Sequence, residues 1–214
     1  MKTIFLSATL LLGSVVASEL LAQGYVIWGN YFPGFTRSPV YGVDPENPAQ
    51  PKSGNTPMGV PAGTQTYAGP PLQGTGFTLA IYLGANPAET MANNAHVGLN
   101  TLGFRTGLAA GLMFPLNTTI PPSYCFAAGQ YYQVRVWDNR GGTITSWSEV
   151  MAASGLIAAG ETDVGAFDIL PCNDIAPGPT TYGFRSFQLT VVPEPSLIAL
   201  GALGLGALLL RPRK

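Results

Sequence analysis

Charge is scarce in this chain. Only 10% of its 214 residues are Asp, Glu, Lys or Arg, and the formal net charge is −1. No cationic stripe runs through it to track a phosphate backbone, so no nucleic acid is expected as a partner. Histidine is scarcer still. His96 is the only one, which excludes a multi-histidine metal site. As a catalytic base it would need a nucleophile and an orienting acid, and no Gly-x-Ser-x-Gly elbow is present. It reads as a solvated loop histidine. There are two cysteines, Cys125 and Cys172, and no Cys-x-x-Cys pair for redox or zinc chemistry. Internal repeats are absent and helical periodicity is poor. No cofactor motif is found, and no cofactor or metal is expected.

What is present sits first at the two ends. Lys2 precedes an apolar run from Ile4 to Val16, and small residues follow. This is the layout of a secretory signal peptide, residues 1–22, with cleavage after Ala22 and Ala17 as the alternative. At the other end Pro193-Glu194-Pro195 interrupts any helix or strand, because each proline fixes its φ and biases the residue before it. An uncharged run from Leu197 to Leu210 comes next, carrying Leu197, Leu200, Leu203, Leu205, Leu208 and Leu210. Arg211, Arg213 and Lys214 close the sequence. At about 1.5 Å per residue the run spans only ~21 Å as a helix, against a hydrocarbon core of ~30 Å. Snorkelling by the basic end shortens the gap and keeps that end cytoplasmic.

This triplet, apolar run and basic end, in that order, resemble the PEP-CTERM sorting signal, residues 193–214. The resemblance implies a C-terminal transmembrane helix acting as a transient membrane anchor. It implies the secretion machinery and the membrane protease exosortase as partners, the latter removing the tail near the motif. Pro212 departs from the usual uninterrupted basic cluster. The expected location is an inner-membrane-anchored precursor, then the cell surface or the extracellular space.

Between the ends lies a body, residues 23–192. Its cations are Arg37, Lys52, Arg105, Arg135, Arg140 and Arg185, and its acids outnumber them. Low charge with abundant Gly, Pro, Ser and Thr fits an exported β-rich domain. The two cysteines are candidates for a disulfide, worth roughly 4 kcal/mol on a chain-entropy estimate, or are two separate buried thiols. Thiol titration of the unfolded, unreduced protein distinguishes these.

Strand patterns are clear in places. Phe77, Leu79, Ile81 and Leu83 share one face of a half-buried strand. Tyr132, Val134 and Val136 oppose Tyr131, Gln133, Arg135 and Trp137. Asp138-Asn139-Arg140-Gly141-Gly142 supplies a hairpin turn, with a return strand expected over Ile144–Val150. Tyr25–Trp28 reads as a first strand, Leu102–Arg105 as a short one and Phe187–Val192 as a last one. Ala88–Ala95 reads as one or two helical turns. A Pro/Gly-rich stretch, about 33–71, is too long for an ordinary loop. It is a decorated loop, an edge hairpin or partly disordered.

The segment Tyr132-x-Val134-Arg135-Val136, a turn and Ser146-Trp147-Ser148-Glu149 resemble the end of an immunoglobulin-like or fibronectin-like antiparallel β-sandwich. In that fold the Tyr hydroxyl bonds the backbone at a corner. The fold class expected is therefore all-β, such a sandwich flanked by a signal helix and the tail helix. The whole layout resembles exported, uncharacterised PEP-CTERM proteins of the Verrucomicrobia and Planctomycetes type. The matching pieces are Gln23-Gly24, Phe104-Arg105-Thr106-Gly107, Tyr132 to Asp138 and Phe187-Gln188-Leu189.

The function expected is a non-enzymatic, surface-sorted protein of the envelope or extracellular polymer matrix. The first alternative is a carbohydrate-binding module that meets extracellular polysaccharide through a platform of Tyr131, Trp137 and Trp147; these tryptophans also suit a core. The second is a hydrolase, which needs carboxylates converging in a cleft. Glu161, Asp163, Asp168 and Asp174 are either calcium-binding oxygens or a solvated acidic loop.

Overall fold

A computed structural model describes residues 24–120, 124, 128–153, 157–169 and 180–192. Among the described residues the chain is mostly β-strand in antiparallel sheets with two short α-helices. Among the described residues no helix is long and apolar enough to cross a membrane. The signal segment, both cysteines and everything from Pro193 to Lys214 lie outside the described residues.

The central pair of strands is the one the alternation pointed to. Strand β4 (Phe77–Gly84) pairs along its whole length with β7 (Ala128–Asp138), from Phe77 opposite Asp138 to Gly84 opposite Tyr131. Strand β5 (Gly98–Asn100) lines the outer edge of β4. The other edge of β7 is shared by two strands. Strand β8 (Ile157–Glu161) pairs with Arg135–Trp137, and β9 (Gly165–Ile169) pairs with the N-terminal part of β7. Strand β10 (Thr190–Val192) adds to β8.

Both faces of this sheet are covered, so β4 is a central strand and not a half-buried one. On one face Leu79, Ile81, Leu83, Tyr132, Val134 and Val136 pack on Val26 and Trp28 of β1 (Tyr25–Trp28). Strand β1 is paired with β6 (Leu116–Thr119). The Trp28 indole N–H donates to Thr118 Oγ1 at 2.8 Å, which gives its one polar atom a partner. On the opposite face Ala80, Tyr82 and Trp137 pack on Val150, Ile157 and Ala159.

Helix α1 (Pro87–Ala92) follows β4 for local reasons. Pro87 opens it, and the Asn86 side chain caps it by accepting from Glu89 N at 2.9 Å. The expected return strand over Ile144–Val150 is not formed. The turn is present: Gly141 and Gly142 take φ of 70° and 92°, and the Asn139 side chain accepts from both their N–H groups. The chain then enters helix α2 (Trp147–Ala152). Ser146 and Glu149 form a reciprocal capping box, so Ser146-Trp147-Ser148-Glu149, read as part of the end of an immunoglobulin-like or fibronectin-like sandwich, is a helix start. Hydrogen bonds from Thr145 and then Ser146 hold the Glu149 carboxyl below its ordinary range. Ser146→Ala is expected to cost about 1 kcal/mol in urea unfolding, a typical N-cap loss. No change in midpoint would show that the cap is not needed.

The expected strand over Leu102–Arg105 is also displaced. Only Phe104 bridges there, to Gly74 and Met113, and the strand lies earlier, at β5. The long Pro/Gly-rich stretch overlaps a small hairpin, β2 (Tyr31–Phe32) with β3 (Thr36–Arg37), and then runs as a strap. The strap grips the segment leading into β10 from both sides. Tyr41 N donates to Phe187 O, and Leu189 N returns to Tyr41 O. Gly54 N donates to Ser186 O, Gln188 N to Lys52 O and Val191 N to Pro48 O. Buried backbone groups need partners. A proline-rich strap supplies carbonyls in quantity, which is how it replaces a regular strand. Tyr41 and Tyr67 stack within it at 4.2 Å.

Tyr132 does bond the backbone, meeting Gly183, though from the middle of the sheet. Burial pushes its hydroxyl far above the ordinary phenol value, with the Gly183 bond acting weakly the other way. Tyr67 is raised too, by burial first and then by Tyr41 and Asp163. A raised folded value means that only the unfolded chain ionises near pH 10. Stability is therefore full below that pH and falls as the pH rises above it. Urea midpoints are expected to be flat to about pH 9 and to drop beyond, with a shallower drop in Tyr132→Phe.

Candidate functional site

Strands β8 and β9 meet β7 end to end, and the chain between them opens a cleft. Thr162 fills the gap in the ladder: its N–H donates to Val134 O at 2.9 Å, and its hydroxyl accepts from Val134 N at 3.1 Å. Glu161, Thr162, Asp163 and Val164 form one wall of a cleft of 570 Å³. The strap contributes Lys52 and Ser53, the segment before β10 contributes Phe187 and Gln188, and the helices contribute Met91 and Trp147. That volume lies within the ~300–1,000 Å³ usual for small-molecule sites.

The floor is held by Arg135, which is 1% exposed. Its Nη1 donates to Asn93 O at 2.8 Å, and its Nη2 reaches Met91 O and Thr90 O. These are carbonyls at the C-terminal end of α1, where a helix leaves acceptors unpaired and favours a cation. The Nε donates to Gln133 Oε1 at 3.1 Å and lies 3.3 Å from Glu161 Oε2. The guanidinium carbon lies 4.2 Å from the Tyr82 ring centre and 5.2 Å from that of Trp147. Gln133 Nε2 in turn donates to Thr162 O. One buried cation thus positions Glu161, Gln133 and Trp147, all on the cleft.

The three aromatics expected to form a sugar platform do not form one. Trp137 is fully buried, with its indole N–H donating to Ile144 O at 3.1 Å. Trp147 meets it edge to face at 6.1 Å and is half-buried, facing the cleft. Tyr131 is half-buried at the opposite end of β7. The correction follows from α2: it covers the β7 face and turns one tryptophan into core.

His96 is exposed after α1 and does not line the cleft. Of the acidic set, Glu161 and Asp163 share the cleft, Asp168 lies in β9 and Asp174 is outside the described residues. Among the described residues no three His, Cys, Asp or Glu side chains converge to hold a metal ion. The sorting triplet, tail leucines, basic end and cysteine pair lie outside the described residues. Sequence reading missed Gln133, Arg135 and Gln188. The one signal for the first two was an amide and a cation alternating with Trp137 on β7. No family model, curated protein or solved structure matches the chain.

Proposed function

We propose that this chain is an exported, surface-sorted, non-enzymatic protein of the envelope or extracellular polymer matrix. Exosortase recognises its tail and removes it near Pro193-Glu194-Pro195. The observation that carries this is the ordered set of triplet, apolar run and basic end in the sequence, opposite an N-terminal signal layout. The body supports it from the other side. Among the described residues the last strand, β10, reaches Val192, immediately before the motif, and the segment leading into that strand is gripped by the strap.

For the body we propose a β-sandwich of the immunoglobulin-like kind, in which the β1–β6 pair is the second layer against one face of the main sheet. The packing of Val26 and Trp28 on Leu79, Ile81 and Val134 supports that reading. The non-enzymatic assignment is supported at the cleft. Glu161 is engaged by Arg135, Asp163 is within 3.5 Å of Ser53, and His96 is not among the residues lining the cleft.

Replacing Pro193, Glu194 and Pro195 together by Ala tests the sorting. The variant is expected to accumulate in the inner-membrane fraction while the parent reaches the surface or medium. Equal distribution of the two would contradict the assignment.

A further inference from the structure

We propose that the β8–β9 cleft binds a neutral saccharide, with Trp147 as its stacking face. The argument is independent of the tail and rests on the cleft alone.

Sugars present two chemistries at once. Their C–H faces pack on aromatic rings, and their hydroxyls both donate and accept hydrogen bonds. The cleft offers both. Trp147 is the aromatic surface, and the Arg135 guanidinium beneath it fixes the ring. Gln133 and Gln188 are 2% and 3% exposed, so their amides stand in fixed positions on the wall. Gln188 is the more telling. Its Nε2 donates to Gln50 O at 2.8 Å, while its buried Oε1 has no partner among the described residues. An unpaired buried acceptor is costly, and a ligand hydroxyl that donates to it through the cleft wall relieves that cost.

Charge selects the kind of saccharide. Glu161 and Asp163 both line the cleft and oppose an anionic sugar, while Lys52 is the lining cation and donates to Thr66 O. Amide, hydroxyl and carboxylate acceptors together suit a neutral, hydroxyl-rich chain. A basic peptide is the competing occupant, because it would suit the carboxylates.

The chain reports on this site by itself. Of its three tryptophans, Trp28 and Trp137 are fully buried, so emission quenched by acrylamide belongs to Trp147. The test uses the full chain with four probes at millimolar concentration: cellotetraose, maltotetraose, chitotetraose and tetralysine. At least one neutral tetrasaccharide is expected to protect the fluorescence from acrylamide. By calorimetry, Trp147→Ala is expected to weaken that binding about tenfold or more. Asp163→Ala, an exposed change that does not threaten folding, is expected to weaken it several-fold. Tyr182→Ala, on the exposed stack with Phe35, is the control and should change nothing. Protection by none of the sugars, protection by tetralysine alone, or sugar binding indifferent to both cleft variants would each overturn the proposal.

Discussion

Arg135→Ala is expected to destabilise the body by about 3–5 kcal/mol, because several acceptors lose one shared donor at about 1–3 kcal/mol each where they are buried. For a domain of this size that is a fall of roughly 10 °C in Tm. The cost does not come from the ion pair. Glu161 keeps 45% of its side chain in water, so losing its partner leaves no buried charge behind. It comes from the carbonyls of Thr90, Met91 and Asn93 and the amide oxygen of Gln133, which lose their donor together. Tyr82 and Trp147 also lose the flat cation between them. Lysine is a poor substitute because a single ammonium cannot reproduce a planar fork of donors. Arg135→Lys should therefore recover only part of the loss, whereas Glu161→Gln should cost less than about 1 kcal/mol. Urea unfolding of the three variants separates the contributions. Equal, small effects of Arg135→Ala and Glu161→Gln would show that the helix carbonyls do not depend on this residue.

Gly69→Ala is expected to cost up to about 3 kcal/mol, as overpacking does where neighbours cannot move. A Cβ at this position would lie 2.1 Å from the Gly42 carbonyl oxygen and 2.9 Å from that of Val43. Both are backbone atoms of the strap, which passes itself here with Gly42 N donating to Pro70 O. Relief requires the two passes to separate, and the segment before β10 is bonded to the first of them through Tyr41. Limited proteolysis should accordingly cut the variant within residues 33–71 faster than the parent. Gly76→Ala is the control. No atom lies within 4 Å of its added Cβ, so its effect should stay within about 0.5 kcal/mol. A neutral Gly69→Ala would mean that the strap is an ornament on the fold.

Much of the framework was legible because alternation survives burial. β4, β7 and β1 stand where strands were expected, and α1 overlaps the helical turns read over Ala88–Ala95. One misread element was α2. Ile144, Trp147 and Val150 suit a strand by composition, but Ser146 and Glu149 at capping-box spacing decide for a helix. The strap was illegible for a different reason. Its order comes from pairing with residues 184–191, far along the chain, and single-sequence patterns carry no partner information.

The cleft was half legible. Trp147 was singled out as a sugar-stacking ring and Glu161 and Asp163 as a calcium candidate, yet the fold puts all three on one cavity. Arg135 could not be read as buried, since what buries it is a pair of helices packed on a strand face that looks polar.

The central claim concerns the tail, and intact mass tests it most directly. The protein is to be purified from cells with and without a functional sorting protease and weighed whole. The account predicts a mature species lacking the region after about Pro193 only where the protease works, and a precursor reaching Lys214 where it does not. A mature protein ending at Lys214 in both cells would contradict it.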